Sequence, residues 1–326
     1  MRHLNLIGES AGFQEVLRLV RRLSQCDATV LIEGETGTGK ELVARALHYL
    51  GNRRTAPFIA VNCGAIPDSL VESEFFGHTS GAFTDAKQAR AGVVAQAQGG
   101  TLFLDEVDSL SARSQVSLLR FLQDYEYRPV GGSASKSANV RVVAASNADL
   151  EQLVAAGSYR RDLLYRLNVL SVHLPPLRER GDDVRLLAEA FLRRLSIRHA
   201  TAPRTLHPDT LAFFRSHPWP GNVRELENLI QRDFLLSDGD QIRISATAGS
   251  VAEVSNGASQ PLTKHSFQQA KARAIAQFER AYIGELLERT RGNVSMAARL
   301  CGKERSRLGK LLKKYGLDRA DFCRGG

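Results

Sequence analysis

Apolar residues fall into two rhythms along this chain. The short runs "ATVLIEG" (28–34), "PFIAVNC" (57–63), "GTLFLDE" (100–106) and "VRVVAASN" (140–147) are almost continuously apolar and bounded by Gly, Pro or acidic residues. Such runs predict strands buried on both faces, as in a parallel sheet. Between them, "GKELVARALHYL" and "SQVSLLRFLQ" repeat apolar residues at helical spacing. The alternation predicts βαβ units and an α/β fold. From about Val184 to Leu236 the rhythm is helical only, with "HPWPGN" as a sharp break. Residues 245–262, "SATAGSVAEVSNGASQPL", have no periodicity and predict a flexible linker. The expected organisation is an α/β subdomain over 1–170, a helical subdomain over 171–244, a linker over 245–264 and a small all-α domain over 265–326.

That last domain reads as a helix-turn-helix in "GNVSMAARLCGKERSRLGKLLKKYGL" (292–317). Ala297, Ala298 and Leu300 pack the first helix, and Gly302 makes the turn. Leu308, Leu311, Leu312 and Tyr315 fall on one face of the second helix. Arg305, Ser306, Arg307, Lys310 and Lys314 are left to face a major groove and its phosphates. A preceding helix, about 266–290, carries Phe267, Ala270, Ala274, Phe278 and Tyr282 as a dimer seam, so paired half-sites in DNA are expected.

Composition sharpens this picture in two ways. A net charge of +9 favours a polyanionic partner, in line with a basic recognition helix. Cys26, Cys63, Cys301 and Cys323 lie far apart without a C-x-x-C pair, which argues against a zinc site or disulfide framework and for a reducing compartment. No run is long enough to span a bilayer, so a soluble cytoplasmic protein without a membrane partner is expected.

The chemistry is concentrated in two stretches. "GETGTGKEL", Gly34, Glu35, Thr36, Gly37, Thr38, Gly39, Lys40, Glu41 and Leu42, follows a strand and opens a helix. Its glycines let backbone N–H groups curl around phosphate oxygens, and Lys40 supplies a cation for the β- and γ-phosphates of ATP. Glu41 stands where a hydroxyl ligand of Mg2+ is usual, so the metal relies on Asp105 and water. The second stretch, "TLFLDE", is an apolar strand ending in two carboxylates: Asp105 for Mg2+ and Glu106 as the base that polarises the attacking water.

With these residues in view, the chain from about Leu6 to Ile244 resembles the AAA+ domain of bacterial sigma-54-dependent transcription activators. The resemblance rests on seven ordered blocks: "GETGTGKELVARALH", "FIAVNCGAIPDSLVESEFFGH", "GAFTDA", "GGTLFLDEV", "YRRDLLYRLNV", "LPPLRERGDD" and "WPGNVRELEN". Glu41 is usual in that family. The resemblance implies an AAA+ P-loop parallel-sheet domain with a helical lid, completed by a Fis-type helix-turn-helix. Asn62 then matches the residue that restrains the catalytic glutamate, Asn147 the sensor of the γ-phosphate, and Arg224 the sensor arginine of the lid. Arg160 and Arg166 match arginines that reach a neighbouring subunit's nucleotide, which implies assembly from dimers to a hexameric ring.

In the family, the segment matching Gly81, Ala82, Phe83, Thr84, Asp85 and Ala86 is the tip of a loop that pushes on the sigma factor, with Phe83 and Thr84 as contacts. Asp85 departs from the usual glycine, and Val94 and Ala95 stand where an aromatic residue and a glutamate are common. Lys303 and Gly309 are atypical of the helix-turn-helix. Few residues precede the domain, so no receiver or other input module is expected, and control would fall to expression level, an inhibitory partner or a co-activator protein. The implied function is ATP-dependent remodelling of the sigma-54 RNA polymerase closed complex from upstream, enhancer-like DNA sites. The alternative is a DNA-binding regulator that uses the AAA+ domain for assembly without engaging sigma-54.

Overall fold

The computed structural model describes residues 4–82, 86, 88–237, 239–244, 283, 287, 290, 293–301, 309 and 312. Phe83, Thr84, Asp85, the linker, Arg305, Ser306, Arg307, Lys310, Lys314 and most of the expected dimer-seam helix lie outside the described residues. The chain divides into two compact units, 1–250 and 251–326.

In the first unit, helix α1 (Ala11–Leu23) precedes strand β1 (Val30–Glu33), and α2 (Lys40–Tyr49) leads to β2 (Phe58–Asn62). Helix α3 (Val71–Phe76) runs into a small antiparallel pair, β3 (Gly77–His78) and β4 (Arg90–Ala91). Then come α4 (Val93–Gln96), β5 (Thr101–Asp105) and α5 (Ala112–Asp124). A second short pair, β6 (Glu126–Tyr127) and β7 (Lys136–Ser137), precedes β8 (Arg141–Ser146), α6 (Leu150–Ala155), α7 (Arg161–Leu167) and β9 (Leu170–His173). Among the described residues, five strands form one parallel sheet in the order β2-β5-β8-β1-β9. β9 pairs with β1 and carries the sheet to His173, past the boundary expected at residue 170.

Period-two alternation divides the core between the sheet's two faces. Val30 and Ile32, Phe103, Val143 and Ala145 pack with α1 and α2. Leu31, Leu102, Leu104, Val142 and Ala144 pack on the other side with α5 and α7. Arg141, at the start of β8, is buried on the α1–α2 side. Its guanidinium donates to the carbonyls of Leu23 (2.8 Å), Ser24 (3.4 Å) and Leu47 (3.2 Å), where α1 and α2 end. A cation belongs at two helix C-termini, whose last carbonyls lack partners.

The helical subdomain comprises α8 (Asp183–Arg198), α9 (Pro208–Ser216) and α10 (Asn222–Leu236), with a parallel pair, β10 (Thr205–Leu206) and β11 (Gln241–Ile242). Its centre is Trp219, only 1% exposed, whose indole N–H donates to the Phe214 carbonyl at 3.1 Å. The break predicted at "HPWPGN" is real: α9 ends at Ser216, Trp219 (φ 54) and Asn222 (φ 51) are both left-handed, and α10 opens at Asn222. In the second unit, Val294–Leu300 is helical. The Asn293 side chain accepts from the Met296 N–H at 3.1 Å, and Ala297 and Ala298 are buried with Ile283, Leu287 and Leu312. Among the described residues no helix is long and apolar enough to cross a membrane.

Candidate functional site

The phosphate loop joins the end of β1 to the start of α2, beside the ends of β5 and β8. Parallel order puts those three strand ends at one edge, where ligands bind in open α/β sheets. Gly39 (φ 103) precedes α2 in the left-handed region, which an L side chain adopts at a cost. Thr38 closes the loop, donating its hydroxyl to the Glu35 carbonyl at 2.8 Å.

Lys40, 6% exposed, crosses the loop. Its ammonium donates to the carbonyls of Gly34 (2.6 Å) and Glu35 (3.1 Å) and to Asn147 Oδ1 (2.5 Å). Burial lowers its pKa, and the nearby charges of Asp105, Asp108 and Glu106 oppose that shift. Asp105 moves the other way, because burial raises a carboxyl, while the Glu106 N–H at 3.0 Å and Lys40 hold the shift back. The structure therefore brings Lys40 from the start of α2 together with Asp105, Glu106 and Asn147 from two strand ends.

Glu106 is left-handed (φ 56, ψ 46), an uncommon state for a non-glycine residue, which turns the chain sharply after Asp105. Its carboxylate lies over Gly64, where an added Cβ would sit 2.8 Å from Glu106 Oε2 and 3.3 Å from Asn62 Oδ1. Sheet register places Asn62 opposite Asp105. The Asn62 side chain accepts from the Ala65 N–H at 3.1 Å, so it neighbours the glutamate while capping the next turn. Burial pushes the adjacent Cys63 thiol up to about 12, so it stays neutral beside these carboxylates.

Two positioning residues were missed by sequence reasoning. Asp108 Oδ1 accepts from the Asn147 N–H (3.0 Å) and the Ser146 hydroxyl (3.1 Å), tying the turn after Glu106 to the end of β8. Asn222 is fully buried between lid and loop, donating to the Thr36 carbonyl and to Glu35 Oε2, both at 3.1 Å. Asp108 carries no signal of its own beside the paired carboxylates of "LFLDEVD", and "HPWPGN" marks a break without showing what packs on it.

Other predicted residues have definite places. Glu41 forms an exposed i,i+4 pair with Arg45 at 2.7 Å, and Leu42 packs against the core beneath α2. The Arg224 N–H lies 3.3 Å from the Gly37 carbonyl, so this lid residue sits directly on the loop. Arg160 is exposed and held by Asp162 (2.6 Å), and Arg166 is exposed at the end of α7. Both lie outside the apolar stripe of Leu163, Leu164 and Leu167 that buries α7. At the expected sigma-factor loop, the Gly81 N–H donates to the Ala86 carbonyl at 2.8 Å and closes the neck. Ala86 is buried, Ala82 is half-buried and Val94 belongs to the core.

A parallel sheet with a phosphate loop, an acidic strand end, a polar residue at the next strand end and a helical lid on the loop defines a P-loop ATPase of the AAA+ kind. Comparison with known proteins agrees. Residues 6–173 match the Sigma-54 interaction domain, 178–268 the AAA+ ATPase lid domain, and 274–315 the Fis family of bacterial regulatory proteins. The DNA-binding transcriptional regulator NtrC of Rhizobium meliloti is 41% identical over 339 residues, spanning 96% of this chain and 70% of its own. The transcriptional regulatory protein GlrR of Escherichia coli is 42% identical over 317 residues, spanning 97% and 69%. The crystal structure of NtrX from Brucella abortus in complex with ATP is 32% identical, with a TM-score of 0.69 over 95% of this chain and 69% of that one. The chain belongs to the sigma-54-dependent transcriptional activators. It is an ATPase with a DNA-binding module, acting on transcription through sigma-54.

Proposed function

We propose that this chain drives open-complex formation through the residues described above. The observation that carries the reading is the meeting of Lys40, Asn147, Asp105 and Glu106 at one sheet edge under a docked lid. Backbone N–H groups of 34–39 and the Lys40 ammonium cradle the polyphosphate of ATP. The carboxylate of Asp105 suits Mg2+, which needs one or two carboxylate oxygens plus phosphate and water. That ion would neutralise charge developing on the phosphates. Glu106 orients and deprotonates the attacking water, and Asn147, already bonded to Lys40, reports the γ-phosphate position.

Arg160 and Arg166 act on the nucleotide of the next subunit in a hexameric ring, so hydrolysis requires assembly. Their exposure supports this, since neither side chain is committed to the core. The 81–86 loop transmits the nucleotide state to sigma-54, while Arg305, Ser306, Arg307, Lys310 and Lys314 read upstream DNA as paired half-sites.

The test is open-complex formation on a sigma-54 promoter with ATP, comparing the native chain with Asp85→Gly. Melting by the native chain upholds the reading and makes Asp85 a tolerated tip residue. Failure of both proteins, with ATP turnover intact, favours the regulator that does not engage sigma-54.

A further inference from the structure

Glu35 sits inside the phosphate loop, yet its carboxylate turns away toward the lid. The Arg178 guanidinium grips it with both arms, Nη1 to Oε2 at 2.9 Å and Nη2 to Oε1 at 2.6 Å. Asn222 adds a third donor to the same carboxylate at 3.1 Å. These two partners hold the Glu35 carboxyl down at about 2. Arg178 lies in the turn Leu177–Glu179 and Asn222 opens α10, so both belong to the lid side of the chain.

Asn222 has further commitments. Its Oδ1 accepts from the Leu177 N–H at 2.8 Å, and its left-handed backbone (φ 51) aims the next two N–H groups at the Gly37 carbonyl, Val223 at 3.0 Å and Arg224 at 3.3 Å. Beneath them, Arg180 is buried against the Phe13 ring and donates to the Thr38 carbonyl at 3.1 Å. The lid therefore holds the phosphate loop at Glu35, Thr36, Gly37 and Thr38.

We propose that Glu35, Arg178 and Asn222 form a clasp that couples loop to lid and sets the position of Arg224, the Glu35 side chain acting as a positioning group while only its backbone N–H faces phosphate. This rests on the nucleotide-site reading above. Two physical consequences follow. An unpaired carboxylate in the loop would repel a polyphosphate, so Arg178 cancels a charge that would oppose binding. A fork-to-fork pair also has a fixed direction, so movement of the loop is passed on to the start of α10.

These consequences separate affinity from turnover. Binding of a fluorescent ATP analogue and steady-state ATP hydrolysis are measured for the full chain and for Arg178→Ala, Glu35→Gln and the double variant. Arg178→Ala is expected to bind about fivefold more weakly, the scale of one partly exposed charge interaction. The double variant, with no charge left to repel, recovers affinity to within about twofold of native while its turnover stays about fivefold low. A merely structural contact would not give this rescue of binding without rescue of rate.

If the double variant binds no better than Arg178→Ala, or if all three variants turn over ATP at the native rate, the clasp is wrong. Should Arg178→Ala melt early, Arg178→Lys is read instead, since it keeps the charge but loses the fork: native affinity with reduced turnover supports the clasp, and native turnover overturns it. Lys40→Ala runs alongside. If it still binds nucleotide, the site reading itself fails; if it abolishes binding while the clasp variants behave as native, only the clasp fails.

Discussion

The phosphate loop has two flanks held in different ways. On the sheet flank, Asp105 and Asn147 stand at strand ends whose register is fixed by parallel pairing, Lys40 reaches Asn147 from the first turn of α2, and Asp108 locks Asn147 in place. On the lid flank, the contacts are a half-exposed ion pair, hydrogen bonds from the buried side chains of Asn222 and Arg180, and backbone N–H groups pressed on a carbonyl. Strand register is expensive to alter, because a one-residue slip turns every side chain to the other face. A surface ion pair and a few loop hydrogen bonds are cheap to rearrange. The sheet flank is thus built to hold reacting groups still, and the lid flank to respond to them.

Glu106→Gln is the sharpest cut on the sheet flank. The amide keeps the shape but cannot accept a proton, so turnover is expected to fall about a thousandfold, within the usual contribution of a general base. Nucleotide affinity should hold, since Lys40 and the loop are untouched. Turnover within tenfold of native would move the base elsewhere and blur the division between the flanks.

Gly37→Ala makes the corresponding cut on the lid flank. A Cβ there would lie 2.3 Å from the Gly221 carbonyl oxygen and 3.2 Å from Arg224 Cβ, on a backbone already at φ 79. The first obstacle is backbone, which has no rotamer to yield, and the left-handed conformation adds its own penalty of about 1–2 kcal/mol. We expect the lid to be driven off the loop, with nucleotide binding and turnover falling together by about a hundredfold. If affinity survives and only turnover falls, the lid contributes less to binding than its contacts imply.

The two flanks also differ in how much of them was legible in the sequence. Strand, glycine loop, lysine and helix are contiguous, so the cradle could be read from local pattern, as could the carboxylates ending "TLFLDE". The lid contacts could not. Glu35 finds Arg178 across 143 residues, and Asn222 stood in a segment whose Pro and Gly announced only a break. Asp108 was hidden differently: nothing local distinguishes it from any polar turn residue, and only the pairing of β5 with β8 brings it to Ser146 and Asn147. Residues 171–173 fell outside the expected α/β subdomain, because "LSVH" is short and only partly buried at the sheet edge, so it lacks the apolar run that marked the central strands.

Gly64→Ala tests the sheet flank gently. An added Cβ would approach Glu106 Oε2 to 2.8 Å and Ser109 Oγ to 3.2 Å, the nearer contact looser than the 2.3 Å one at Gly37 but still under 3 Å. What differs is the obstacle. A carboxylate oxygen ends a flexible side chain and can swing away, and Gly64 does not adopt a left-handed backbone. Folding stability should change by less than about 1 kcal/mol in thermal melts, as for ordinary substitutions outside the core. The displaced group is nonetheless the proposed base, whose rate contribution depends on its reach to the water, so turnover should fall by about threefold while affinity stays native. A rise in turnover would mean that the carboxylate seen over Gly64 is in a resting position, and that crowding it out favours the working one.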